Sequence, residues 1–155
     1  MTTMQATNAR RAHRTLRQPR SFVGAILDGA TPAESDLVQA ILGGLPINEL
    51  APLLRLGFTD DELANSMDMS RRTLVRRREG KGRLSVGEGD RLVRFAGVVA
   101  QAVHESFDTP DKAVRWMREP NTALDGTLPL DAIRTECGVA LTRRVLGTIA
   151  YGGVL

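Results

Sequence analysis

The sequence predicts an all-α protein: a helical bundle followed by a small helical C-terminal module. Aromatic residues make up 4% of the chain and β-branched runs are scarce, so the core must be built from Leu, Val, Ile, Ala and Met, which favours packed helices over sheets. Apolar residues recur at helical spacing between capping residues and Gly or Pro stops. No segment alternates polar and apolar residues well enough to read as a strand. With 155 residues, 42% of them hydrophobic, the chain can bury one ordinary domain or two small ones.

Residues 1–20 carry Arg10, Arg11, Arg14, Arg17 and Arg20 with little apolar periodicity, and read as a basic flexible arm or a short surface helix. Helical signals begin at Thr31, where Thr31-Pro32-Ala33-Glu34 offers a cap, a first-turn proline and an acid ahead of Leu37, Val38, Ile41 and Leu42. Gly43-Gly44 ends that helix. A second runs from about Pro46 to Gly57. Thr59-Asp60-Asp61-Glu62 is a capping box with acids at the positive end of the helix dipole. That helix stops at Asp68, and Ser70 opens another that ends at Gly80 and Gly82. A longer helix over about 88–107 aligns Leu92, Phe95, Ala96, Val99, Val103 and Phe107, a stripe that is either dimer interface or internal core. Thr109-Pro110-Asp111 opens a helix closed at Glu119-Pro120. An ordered loop spans 121–129, and two short helices follow near 129–136 and 139–150. The resulting organisation is an arm over 1–20, a helical and dimerisation domain over 21–107, and a module over 108–155.

The formal net charge of +3 conceals a strong pattern. The arm has five arginines and no acid, residues 21–69 are strongly acidic, and residues 70–83 carry seven bases against the single acid Glu79. Phosphate binding depends on such local fields rather than on net charge.

Residues 59–79 read as a helix-turn-helix. Ala64 is the small residue where two helices cross, Leu63, Met67, Met69 and Leu74 form the shared apolar face, and Asp68 takes a turn position that demands left-handed backbone. Ser70 caps the second helix. Arg71, Arg72, Val75 and Arg76 are placed to project into a major groove, and Arg77, Arg78, Lys81 and Arg83 to meet backbone phosphates. The competing reading is a solvated basic face, or a helix-turn-helix kept for dimerisation. The arm's arginines can reach a minor groove, or belong to a plain tail.

The C-terminal segment reads Ala113-x-x-Trp116-Met117-x-x-Pro120-Asn121-x-x-Leu124-x-Gly126-x-x-Pro129-Leu130, followed by Thr135, Gly138, Val145-Leu146, Ile149 and Tyr151-Gly152. This pattern resembles the toxin-binding domain of Xre/MbcA/ParS-type antitoxins of RES–Xre toxin–antitoxin systems, and the helix-turn-helix lies where that family has its Xre-like domain. The resemblance spans residues 45–155. Met117 stands where Leu is more usual, and Leu128 where a polar residue is common. The resemblance implies a partner, a RES-type toxin that degrades NAD⁺, neutralised by a C-terminal segment laid over its active-site cleft. It also implies a homodimer that represses its own operon by binding operator DNA. Carried onto this chain, the plug is Tyr151, Gly152, Gly153, Val154 and Leu155, with Arg143 and Arg144 as docking charges. Trp116 is the buried anchor of the module and Asn121 ends its helix. The alternatives are a transcription regulator whose module serves dimerisation or ligand sensing, and an adaptor for a non-toxin partner.

Nothing in the sequence assembles a catalytic group. His13, His104 and Cys137 are not at metal-ligand spacing, and the acids at 60–62 are accounted for by a helix start. Cys137, the only cysteine, is expected to be buried, and its solitude fits a reducing compartment. The longest apolar run, Phe95–Val103, is broken by Gln101 and too short to span a bilayer. The expected protein is therefore not an enzyme, has no cofactor or metal, makes no membrane contact, and is cytoplasmic, nucleoid-associated when bound to its operator.

Overall fold

The stripe at 92–103 sets the architecture. The computed structural model describes residues 21–152, and the helix carrying that stripe, α6 (Val86–Gln101), buries Leu92, Phe95, Ala96, Val98 and Val99 almost completely. The other helices wrap around it. They are α1 (Phe22–Leu27), α2 (Glu34–Leu42), α3 (Ala51–Arg55, entered through a 3₁₀ turn over Ile47–Leu50), α4 (Asp60–Ser66) and α5 (Arg71–Glu79) before it. After it come α7 (Pro110–Met117), α8 (Pro129–Ala132) and α9 (Glu136–Ala150). No strand occurs among the described residues. The one bridge, Pro46 to Arg83, is flanked by the Leu84 N–H donating to the Leu45 carbonyl at 2.8 Å. The face of α6 considered for dimerisation is thus internal core of a single chain. The arm over 1–20 lies outside the described residues.

Helix α1 is absent from the sequence reading, and its anchor is a long-range one. Glu49, 3% exposed, accepts hydrogen bonds from the Phe22 N–H (3.1 Å), the Val23 N–H (2.9 Å) and the Ser21 hydroxyl (2.7 Å). A buried carboxylate on the free N–H groups of a helix start satisfies both the charge and the orphan donors. In α2 the expected Thr31 cap is not used: Ala33 occupies the cap position and makes no side-chain bond.

The C-terminal helices share the core of the rest. Ala113, Val114 and Met117 of α7, Ile133, and Val139 and Leu146 of α9 join one apolar cluster with Leu63, Leu74, Leu92 and Phe95. Helix α6 runs into a π turn over Ala102–Ser106, closed by the Phe107 N–H on the Ala102 carbonyl at 3.0 Å. From this stretch Gln101 Nε2 donates to the Arg143 carbonyl (3.2 Å) and the Ser106 hydroxyl to the Leu146 carbonyl (3.0 Å), pinning α9 alongside. Helix α9 begins at Glu136, earlier than its apolar pattern suggests. Gly138 lies so close to α8 that a Cβ there would sit 1.8 Å from the Ala132 carbonyl oxygen.

Candidate functional site

Helices α4 and α5 form the helix-turn-helix. Thr59 and Glu62 make the reciprocal capping box, with the Glu62 N–H donating to Thr59 Oγ1 at 3.2 Å and the Thr59 N–H to Glu62 Oε2 at 2.8 Å. Asp68 sits in the turn at φ 59°, in the left-handed conformation expected of it. Leu63, Ala64, Met67 and Leu74 are buried and Met69 half-buried, so the two helices share an apolar face. Arg91 Nη1 on α6 donates to the Met67 carbonyl at 3.5 Å, closing the end of α4.

Helix α5 starts at Ser70, whose hydroxyl accepts from the Thr73 N–H at 3.1 Å. Its basic residues fall into two groups. Arg72 and Arg76 are exposed, and among the described residues no carboxylate lies within ion-pair distance of either. With Arg71, Val75 and Glu79 they line an open hollow on the outer side of α5, and Val75 packs its inner side on the core. The other group is engaged within the protein. Arg78 pairs with Asp60, Arg71 lies 3.9 Å from Asp61, and Arg77 pairs with Glu88. Arg77 is also fixed by its stem and backbone: its carbonyl accepts the Gly82 N–H at 2.8 Å, and a Cβ on Gly82 would be 3.3 Å from Arg77 Cβ. Burial pushes the Glu88 carboxyl up, but the Ser85 N–H and the Arg77 guanidinium outweigh it and hold the group below the usual glutamate range. Lys81, at φ 50°, and Arg83 are exposed in the loop beyond.

The C-terminal candidates do not gather at one point. Trp116 is half-buried rather than fully buried: it packs at the margin of the core against Phe107, itself half-buried, with ring centroids 5.7 Å apart. Asn121 caps the turn over Thr122–Leu124, its Oδ1 accepting the Ala123 N–H at 2.9 Å and its carbonyl the Gly126 N–H at 2.9 Å. Arg143 turns towards α6: a Cβ on Gly97 would lie 2.6 Å from its Nη2. Arg144 is exposed and lies two turns before Tyr151, which closes α9 and is 90% exposed. Gly152 follows at φ 66°. Gly153, Val154 and Leu155 lie outside the described residues.

Comparison with known proteins resolves the two halves together. Residues 36–97 match the model of the antitoxin Xre-like helix-turn-helix domain. Residues 100–152 match that of the antitoxin Xre/MbcA/ParS C-terminal toxin-binding domain. The chain belongs to the Xre family of antitoxins. It is similar to a protein named antitoxin Xre from Photorhabdus laumondii, 29% identical over 117 residues that cover 74% of this chain and 79% of the relative. An antitoxin Xre from Pseudomonas putida is 36% identical over 81 residues, 52% of this chain and 50% of the relative. A protein named Prs ADP-ribosylating antitoxin from Sphingobium is 27% identical over 126 residues, 76% of this chain and 79% of the relative.

In this antitoxin the toxin-binding segment touches the helix-turn-helix at both ends of α4, a feature that helical periodicity does not reveal. At the N-terminal end, Arg118 donates from Nε and Nη2 to Glu62, at 2.6 and 2.9 Å, and from Nη2 to the Gly57 carbonyl at 2.8 Å. Its guanidinium also lies 5.8 Å from the centre of the Phe58 ring. At the other end, Arg134 reaches to 3.8 Å from Asp68. Arg118 sits inside the Trp116–Asn121 motif, so a charged residue between two patterned ones was the only available signal.

Cys137 is exposed, against expectation. It occupies the second position of α9, before the helix turns its apolar face inward at Val139. His104 is held by the Leu27 carbonyl at 2.8 Å from its Nε2. Among the described residues, no group of three His, Cys, Asp or Glu side chains could hold a metal ion, and no helix is long and apolar enough to cross a membrane.

Proposed function

We propose that this antitoxin neutralises a RES-type, NAD-degrading toxin by laying its C-terminal segment, Tyr151–Leu155, over the toxin's active-site cleft, with Arg144 assisting the docking. The observation that carries the reading is the end of α9. A large aromatic side chain stands 90% exposed at the helix terminus, free to enter a partner's pocket, and the left-handed glycine after it redirects the backbone away from the helix. Trp116 and Asn121 act from behind, shaping the module, and Arg143 braces α9 against α6.

The same chain represses its operon as a homodimer in the cytoplasm, and associates with the nucleoid when it occupies its operator. Helix α5 enters the major groove through Arg72, Val75 and Arg76, with Arg71 beside them, and Ser70, Lys81 and Arg83 meet phosphates. Arg77 and Arg78 stand beside that surface, held by Glu88 and Asp60 and outside its phosphate contacts. Functionally the chain divides into the arm over 1–20, a DNA-binding and dimerisation region over 21–107 and a toxin-binding region over 108–155. The role is that of a binding protein with two surfaces, not of an enzyme.

The test is to express the product of the adjacent gene and follow its consumption of NAD⁺. Stoichiometric antitoxin is expected to stop the reaction, and a version ending at Ala150 to leave it running. An adjacent product that leaves NAD⁺ intact contradicts the toxin assignment. Equal inhibition by the shortened chain contradicts the plug.

A further inference from the structure

Helix α4 begins with three consecutive carboxylates, and each has a different partner. Glu62 is used by the Thr59 capping box and by Arg118. Asp60 and Asp61 instead reach across to α5, to Arg78 and Arg71. Those two arginines are seven positions apart, hence on one side of α5, while Arg72 and Arg76 are four apart on the neighbouring side. The start of a helix ordinarily attracts phosphate through its free N–H groups and dipole. Here that end of the helix-turn-helix is filled with negative charge.

We propose that Asp60 is a built-in competitor for DNA phosphate, which holds Arg78 on the protein's own surface and so limits the antitoxin's grip on DNA of any sequence. The proposal rests on the DNA-binding reading given above and concerns how strongly that surface binds. The Asp60 side chain is 19% exposed and that of Arg78 40%, so the pair is partly withdrawn from water, and a phosphate must break it before it gains Arg78. The Arg71–Asp61 pair, at 63% and 70% exposure and 3.9 Å, is looser and yields more readily. Phosphate contacts carry no sequence information. Withholding them lowers affinity for operator and bulk DNA by the same factor, which spares the antitoxin from capture by the many non-specific sites around it.

The experiment uses the full chain, a duplex from upstream of its own gene, and a scrambled duplex of equal length and composition. Binding is followed by fluorescence anisotropy across a range of salt concentrations. Asp60→Asn keeps the side-chain size at the helix start and removes the charge. It is expected to bind both duplexes about five- to tenfold tighter near 0.1 M salt, with the slope of log K against log salt steeper by about 0.9, the signature of one added phosphate contact. Arg78→Met in the wild-type background is expected to leave the slope unchanged, and in the Asp60→Asn background to abolish the gain. Thermal melting of each variant confirms that it is folded. An unchanged slope for Asp60→Asn overturns the proposal, as does a loss for Arg78→Met alone as large as that for Arg72→Ala. Wild-type protein that binds neither duplex at the lowest salt removes the DNA-binding reading itself, an outcome distinct from either.

Discussion

Arg118 Nε and Nη2 donate to the two carboxylate oxygens of Glu62, joining the toxin-binding segment to the residue that caps the first helix of the helix-turn-helix. The side chains are 39% and 21% exposed, so much of the Coulomb attraction is screened by water. Arg118→Ala is expected to cost about 1 kcal/mol, at the upper end for a surface pair because the contact is bidentate and the Gly57 carbonyl loses its donor as well. Chemical denaturation checks it; Glu62→Ala should cost more than Arg118→Ala because it also removes the Thr59 capping bond, and the double variant should lose less than the sum of the two.

The same pair makes stability depend on pH. Burial pushes the Glu62 carboxyl up, but hydrogen bonds from Arg118 and Thr59 outweigh it and hold the group below the ordinary glutamate value. A carboxyl with a depressed folded-state pKa stabilises the fold above its unfolded pKa, and that contribution is lost as pH falls through the folded pKa. Wild-type protein should therefore lose stability on acidification from about pH 5 downwards, and Glu62→Gln should lose less over the same range. Melting temperatures measured across that range for both proteins decide it; parallel curves contradict the assignment.

Gly138 tolerates no side chain. A Cβ 1.8 Å from the Ala132 carbonyl oxygen meets backbone, not a mobile side-chain end. Gly138→Ala should force α8 and α9 apart, at a cost of about 3 kcal/mol or more. At Gly97, by contrast, the near atom is the tip of Arg143, and Gly97→Ala should cost under about 1 kcal/mol as that tip swings away. Comparing the two melting temperatures tests the contrast.

Asp68 carries its left-handed conformation with a distant side-chain partner among the described residues, Arg134 at 3.8 Å. Asp68→Gly should stabilise the chain by up to about 1 kcal/mol by removing the steric cost of a Cβ there, and Asp68→Val should destabilise it by a similar amount or more. A lower melting point for Asp68→Gly than for wild type contradicts this account of the turn.

Much of this structure is legible in the sequence where local chemistry decides. Thr59, Ser70 and Thr109 mark true helix starts, and the left-handed turn at Asp68 is visible from its place between two apolar-patterned segments. Where a distant group decides, the sequence is silent. Helix α1 depends on Glu49, 26 to 28 positions away, and Thr31 goes unused although its dipeptide with Pro32 reads as a cap. The basic run is equally double-edged. Composition cannot separate Arg72 and Arg76 from Arg77 and Arg78, because the carboxylates that claim the latter pair lie on α4 and α6. The exposure of Cys137 is not legible for a related reason, since apolar neighbours in sequence do not fix which side of α9 faces the core.

The two-surface account is tested most directly by growth of cells that express the adjacent gene alone, with full-length antitoxin, with the chain ending at Ala150, and with Arg72→Ala/Arg76→Ala. A reporter driven by the operon's promoter is read in the same cells. The shortened chain is expected to fail to rescue growth yet still repress the promoter, and the double variant to rescue growth yet fail to repress. Loss of both functions together in both variants, with each protein folded, contradicts it.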